Sequence, residues 1–121
     1  MSQQRQSDAI PDALRAQVVE RLNRYCEERV PPGIRDKLRL EWTMREASFT
    51  LTERRPHFVR RDEWTESKVA QFRYDVEAGQ WTLFCCDRDS KWHEYLELAP
   101  SSHFETLLAE VNEDPTGIFW G

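Results

Sequence analysis

Long apolar runs, an excess of positive charge and an even set of cysteines are all missing from this sequence, and each absence removes a class of protein. No stretch approaches the ~20 apolar residues that a membrane-spanning helix requires. Charged residues make up 32% of the chain against 39% hydrophobic ones, so a soluble protein without a membrane partner is expected. The opening MSQQRQSDA contains no apolar signal core, and its polar character predicts a flexible tail over residues 1–10. Three cysteines, two of them adjacent at Cys85 and Cys86, make no disulfide framework. They fit free thiols in a reducing compartment, which predicts cytoplasmic residence. His57, His103 and Cys26 are potential metal ligands, but no CxxC or HExxH spacing accompanies them, so neither a metal nor a cofactor is expected. A net charge of −5 argues against general polyanion binding, because neutralising phosphates needs a surplus of Lys and Arg. Only a local basic patch could serve.

What is present reads as one α+β domain over residues 11–121, with no internal repeat or low-complexity segment. Leu14, Val18, Leu22 and Tyr25 or Cys26 recur on one helical face between Pro11 and Val30. Asp8 is placed to cap that helix, Pro11 suits its first turn, and Pro31, Pro32 and Gly33 stop it. Alternation of period two follows: Leu38, Leu40, Trp42 and Met44, then Phe49 and Leu51, with a turn within Arg45 to Ser48. The stretch 56–66 shows no period and is expected to be a long connection. Period two resumes at Ala70, Phe72, Tyr74 and Val76, then Trp81, Leu83 and Cys85, and a fifth strand is expected from Lys91 to Leu98. Ser102 and Glu105 have capping-box spacing ahead of Phe104, Leu107, Leu108 and Val111, which predicts a second helix. The expected architecture is an N-terminal helix, a five-stranded antiparallel meander and a C-terminal helix. Both helices pack on one face of the sheet.

Register then assigns faces. Closing the third hairpin through Ala78 and Gly79 opposes Val76 to Trp81, Tyr74 to Leu83 and Phe72 to Cys85. Closing the next through Asp89 and Ser90 opposes Trp81 to Leu98, Leu83 to Leu96, Phe84 to Tyr95 and Cys86 to His93. This turns Trp92 and Leu96 towards the core. The other face then carries Gln71, Arg73, Asp75, Thr82, Phe84, Cys86, Arg88, Lys91, His93, Tyr95 and Glu97, extended by Thr50, Thr52 and Arg54. Such a face is either simply hydrated or a shallow binding surface. Five tryptophans exceed what a minimal core needs, and such rings fill cores or anchor interfaces.

Candidate chemistry falls in three places. Cys86 opposite His93 is a conceivable thiolate and imidazole pair, although no oxyanion donor is evident. Glu53, opposite Leu40, needs a partner, and Arg55 is the candidate. The window Arg54, Arg55, His57, Phe58, Arg60, Arg61 is the most basic in the chain and mixes cations with rings, but Asp62 and Glu63 follow at once.

The strings PPGIRDKL, ERRP, DRDSKWHEY and EDPTGIFWG together resemble a bacterial family of small proteins, catalogued as the domain of unknown function numbered three-zero-two-four. The matching positions are Pro31, Pro32, Ile34 and Arg35; Glu53, Arg55 and Pro56; Asp89, Lys91, Trp92, His93 and Tyr95; and Asp114, Gly117, Phe119 and Gly121. The resemblance brings no activity with it, but it groups Glu53, Arg55, Lys91, His93 and Tyr95.

Three functional readings stand at this point. The preferred one is a binding or interaction module, with possible homodimerisation, that takes a protein or an anionic ligand on the polar face through Arg55, Arg73, Arg88, Lys91, His93 and Tyr95. The second is a hydrolase or nuclease-like enzyme using His93, Lys91, Arg55 and Glu53, with Cys86 as a further candidate. The third is nucleic-acid binding through Arg54, Arg55, His57, Arg60 and Arg61.

Overall fold

A computed structural model describes residues 10–120. Asp8, the expected cap, lies outside the described residues, as do most of the expected tail and Gly121. Ile10 is buried in the core.

Helix α1 spans Asp12–Arg29 and buries Val18, Leu22 and Tyr25, the stripe that the sequence spacing marks. Pro11 itself is the N-cap, and its carbonyl accepts the Arg15 N–H at 2.9 Å. The Pro31-Pro32 pair has no N–H with which to prolong the helix, and a single 3-10 turn, Pro32–Ile34, leads away from it. The strands are β1 (Arg39–Arg45), β2 (Ser48–Pro56), β3 (Trp64–Asp75), β4 (Gln80–Cys86) and β5 (Trp92–Glu94), followed by helix α2, Phe104–Glu113. The sheet order is β1-β2-β3-β4-β5, every neighbour antiparallel, which is the meander expected. α1 packs against β1 and α2 against β4, and apolar residues of both helices join one buried cluster with the sheet.

Trp81 is the centre of that cluster. It is fully buried and packs on Tyr74, Phe104 and Phe49 with ring centroids 4.8, 5.1 and 6.0 Å away. Burying each such side chain contributes about 1.5–3 kcal/mol.

The pairing of β1 with β2 is the one read from the sequence, with Leu40 opposite Glu53 and a two-residue turn at Glu46 and Ala47. Three features of the sheet differ from expectation. β3 begins at Trp64, inside the supposed connection, because a bulge at Val69 interrupts its alternation: Leu51 pairs Ala70 but Thr52 pairs Lys68. Between β3 and β4 the register moves by two residues, so that Tyr74 faces Trp81 and Phe72 faces Leu83. The cause is Asp75, whose carboxylate accepts the Glu77 and Ala78 N–H groups and stops the strand there. A shift of two preserves every face.

The third difference does not. The hairpin between β4 and β5 closes from Asp87 to Lys91 around three residues, with Ser90 at φ 64, instead of through two. The Asp87 carboxylate accepts the Asp89 and Lys91 N–H groups and fixes this longer turn. The register slips by one: Cys86 pairs Trp92 and Cys85 pairs His93. Side chains therefore change sides. Tyr95 becomes a core residue, 3% exposed, with its hydroxyl donating to Glu110 Oε2 at 2.7 Å, while Leu96 is 81% exposed. β5 ends at Glu94 rather than Leu98, and the chain returns to the sheet as a single bridge between Ser101 and Trp81. The expected capping box is also absent: His103, not Ser102, is the N-cap of α2.

Candidate binding surface on the uncovered sheet face

With both helices on the other side, no helix or strand among the described residues covers the second face of the sheet. Register places Thr50 and Thr52 of β2, Gln71 and Arg73 of β3, Thr82, Phe84 and Cys86 of β4, and Trp92 of β5 on it. Beyond the bulge the phase of β3 reverses, so Trp64, Glu66 and Lys68 join the same face beside Arg39 and Arg54.

Three half-buried rings on this face each lie beneath a cation. The Arg39 guanidinium is 4.1 Å from the centre of the Trp64 ring, that of Arg73 3.7 Å from Phe84, and Lys68 Nζ 6.0 Å from Trp92. The three cations are exposed, and contacts of this kind at exposed sites are worth about 0.5–1 kcal/mol each. Arg73 Nε donates to Gln71 Oε1 at 2.6 Å, and Gln71 Nε2 donates to Thr50 Oγ1 at 2.9 Å, so the middle row is one connected chain. Cys86 lies among these groups. Burial pushes its thiol up, opposed by the nearby Lys68 charge, so it stays protonated at neutral pH.

Of the residues expected to bind a ligand here, Arg73 stands on the open face and Arg88 in the exposed turn at its rim. Lys91 is exposed at the start of β5, and its N–H belongs to the turn. His93 is not opposite Cys86 but held at the sheet edge, Nε2 at 2.6 Å from Asp87 Oδ2. That contact, with the Lys91 N–H, holds the Asp87 carboxyl below its usual range. Tyr95 is removed from the set by its burial. The structure does not bring the proposed catalytic group together: Glu53 and Arg55 lie on β2, and β3 and β4 separate them from His93 and Lys91. Three strand spacings are about 14 Å, beyond hydrogen-bond reach.

The arginine window is largely paired. Arg54 meets Glu41 at 3.4 Å, Arg55 meets Glu53 at 3.1 Å as expected, and Arg60 meets Glu63 at 3.1 Å. His57 Nδ1 accepts the Val59 and Arg60 N–H groups, so its ring is a peg of the loop, stacked on the exposed Phe58. Arg61 has no ion pair among the described residues.

The family-like strings meet elsewhere. Asp114, in the left-handed conformation at the end of α2, accepts the Phe119 and Trp120 N–H groups at 3.1 and 2.9 Å. Trp120 Nε1 donates to the Val111 carbonyl, and Arg29 lies 3.9 Å from the Trp120 ring. A cavity of about 240 Å³ is lined by Val30, Leu38, Glu53, Arg55 and Trp120, so the seam between α1, β2 and the C-terminal hook gathers residues from separate strings.

The family model Domain of unknown function (DUF3024) matches residues 10–121. The chain belongs to this family. Comparisons with curated proteins and with solved structures find no match. In this DUF3024 chain, sequence reading missed Arg39, Trp64, Lys68 and Trp92 as members of the open face. For Trp64 and Lys68 the available signal was the pair Val69-Ala70, two apolar residues in succession, which marks the bulge and the reversal of phase; Trp92 changes side with the longer turn at Asp87.

Proposed function

We propose that this protein is a binding module that takes an acidic protein segment on its uncovered sheet face. The observation that carries the reading is the set of three rings on one open face, each beneath a cation: Trp64 with Arg39, Phe84 with Arg73 and Trp92 with Lys68. A cation resting on a ring can turn to a carboxylate while the ring remains as a flat apolar floor, and aromatic and arginine anchors dominate binding energies. Arg39, Arg45, Arg54, Lys68 and Arg73 stand there against Glu41, Glu66, Asp75 and Glu94, a small positive excess in a chain of net charge −5.

Titration of the tryptophan fluorescence with a Glu- and Asp-rich peptide tests this. A saturating change is expected, with Lys68→Ala and Arg73→Ala each weakening affinity roughly three- to tenfold. No response, or a response indifferent to both variants, removes the reading. A single-stranded oligonucleotide in a parallel titration addresses nucleic-acid binding through Arg54 to Arg61, which requires a steep salt dependence. Pairing of Arg54, Arg55 and Arg60 with acids weighs against it. The hydrolase reading through His93, Lys91, Arg55 and Glu53 loses its support, because β3 and β4 stand between the two halves of the group.

A further inference from the structure

The two edges of the sheet are unlike. β5 is three residues long, and the chain beyond it returns to bridge Trp81. β1 runs for seven residues without proline or bulge, and among the described residues no strand flanks its outer side. Its phase follows from one contact. The Ala47 carbonyl accepts the Tyr74 N–H at 2.8 Å and so points to β3; Ser48, next along, turns to β1 and its partner Arg45. Alternation then aims the N–H and C=O groups of Glu41, Thr43 and Arg45 at β2, and those of Leu40, Trp42 and Met44 outward. No hydrogen bond to these outward groups is present among the described residues. Exposed, flat edges of this length are ordinarily blunted or paired.

We propose that β1 pairs antiparallel with β1 of a second copy, about a two-fold axis at Thr43, joining two sheets into one. The registers that keep apolar side chains on the helix side and pair at least five residues of β1 differ in what they oppose. An axis at Glu41 sets Glu41 against the partner's Glu41, and an axis at Trp42 sets Arg39 against the partner's Arg45. With the axis at Thr43, Glu41 faces the partner's Arg45 and Arg45 faces the partner's Glu41, while Trp42 faces the partner's Met44. Opposite charges across strands stabilise and like charges destabilise, so this register is selected. It also makes Trp42 and the partner's Met44 the hydrogen-bonded rungs, and theirs are the groups that point outward. Met44, 36% exposed in the single chain, comes to lie at a groove of about 550 Å³ between α1 and β1, whose walls include Asn23, Cys26 and Trp42.

Sedimentation equilibrium of the full chain over the micromolar range tests this, with circular dichroism to check folding. The wild type is expected to be a dimer. Glu41→Arg and Arg45→Glu each oppose like charges twice and are expected to weaken the dimer roughly tenfold or more. Mixing the two variants sets Arg against Glu at both places and is expected to restore a dimer of one of each, which a misfolded variant could not do. Met44→Pro removes an N–H that the single chain does not use, so it is expected to be a folded monomer. A monomeric wild type, a dimer that survives Met44→Pro, or an absence of rescue on mixing overturns the proposal. An extended peptide that binds β1 of a monomeric wild type would assign the edge to a different chain.

Discussion

Trp81 shows how much one residue can hold. Its ring is buried among Tyr74, Phe104 and Phe49, yet its indole N–H has no acceptor among the described residues. Trp81→Ala is expected to cost about 3–5 kcal/mol in urea unfolding. Trp81→Phe should cost clearly less, since it keeps most of the apolar surface and removes the unpaired donor. Tyr95 is the complementary case. Its hydroxyl donates to Glu110, and burial pushes its ionisation up, so it has a structural place. Tyr95→Phe is expected to lower stability by about 1.5–3 kcal/mol, the range for a hydrogen bond to a charged group, without altering peptide affinity. Asp87 gives the pH dependence. Its carboxyl is held below the usual range by His93 and the Lys91 N–H, so its contribution is present above the ordinary carboxylate pKa and lost as pH falls through the lowered value. Protection of the Asp89 and Lys91 amides, exchange measured relative to the intrinsic rate at each pH, is therefore expected to fall only in acid. Cys26 behaves oppositely: burial, with Glu41 and Glu27 nearby, pushes its thiol up to about 11, so alkylation at neutral pH is expected to be slow.

Among the elements, the short hairpin into β5 matters most. A two-residue turn at Asp89 and Ser90 is compatible with the residue types, and periodicity alone does not choose between it and the three-residue turn that forms. The choice rests on the Asp87 carboxylate and on Ser90 adopting φ 64. Ser90→Gly, which relieves a left-handed conformation costing about 1–2 kcal/mol but loosens the unfolded chain, is expected to raise the melting temperature slightly. Ser90→Val should lower it. The element order, the α1 stripe, the β1 to β2 register and the Glu53 to Arg55 pair were legible because each is encoded within a window of a few residues. The extent of β3 was not, because a bulge reverses the phase on which such reading depends.

For the molecule as a whole, the decisive division is between a covered and an uncovered sheet face. Among the described residues, no helix is long and apolar enough to cross a membrane. Binding to the open face by exposed cations is expected to weaken with rising salt over the range in which the Debye length falls from ~10 to ~3 Å, and a titration in added NaCl checks this. The sequence by itself determined the α+β order, the helix that Pro31 and Pro32 terminate and which residues of β1 and β2 share a side, since periodicity and proline act through local sterics. Only the tertiary structure decided that Tyr95 faces inward and that Arg39, Lys68 and Arg73 cover Trp64, Trp92 and Phe84. The first depends on which turn wins at Asp87. The second depends on neighbouring strands whose residues meet only after the sheet has formed.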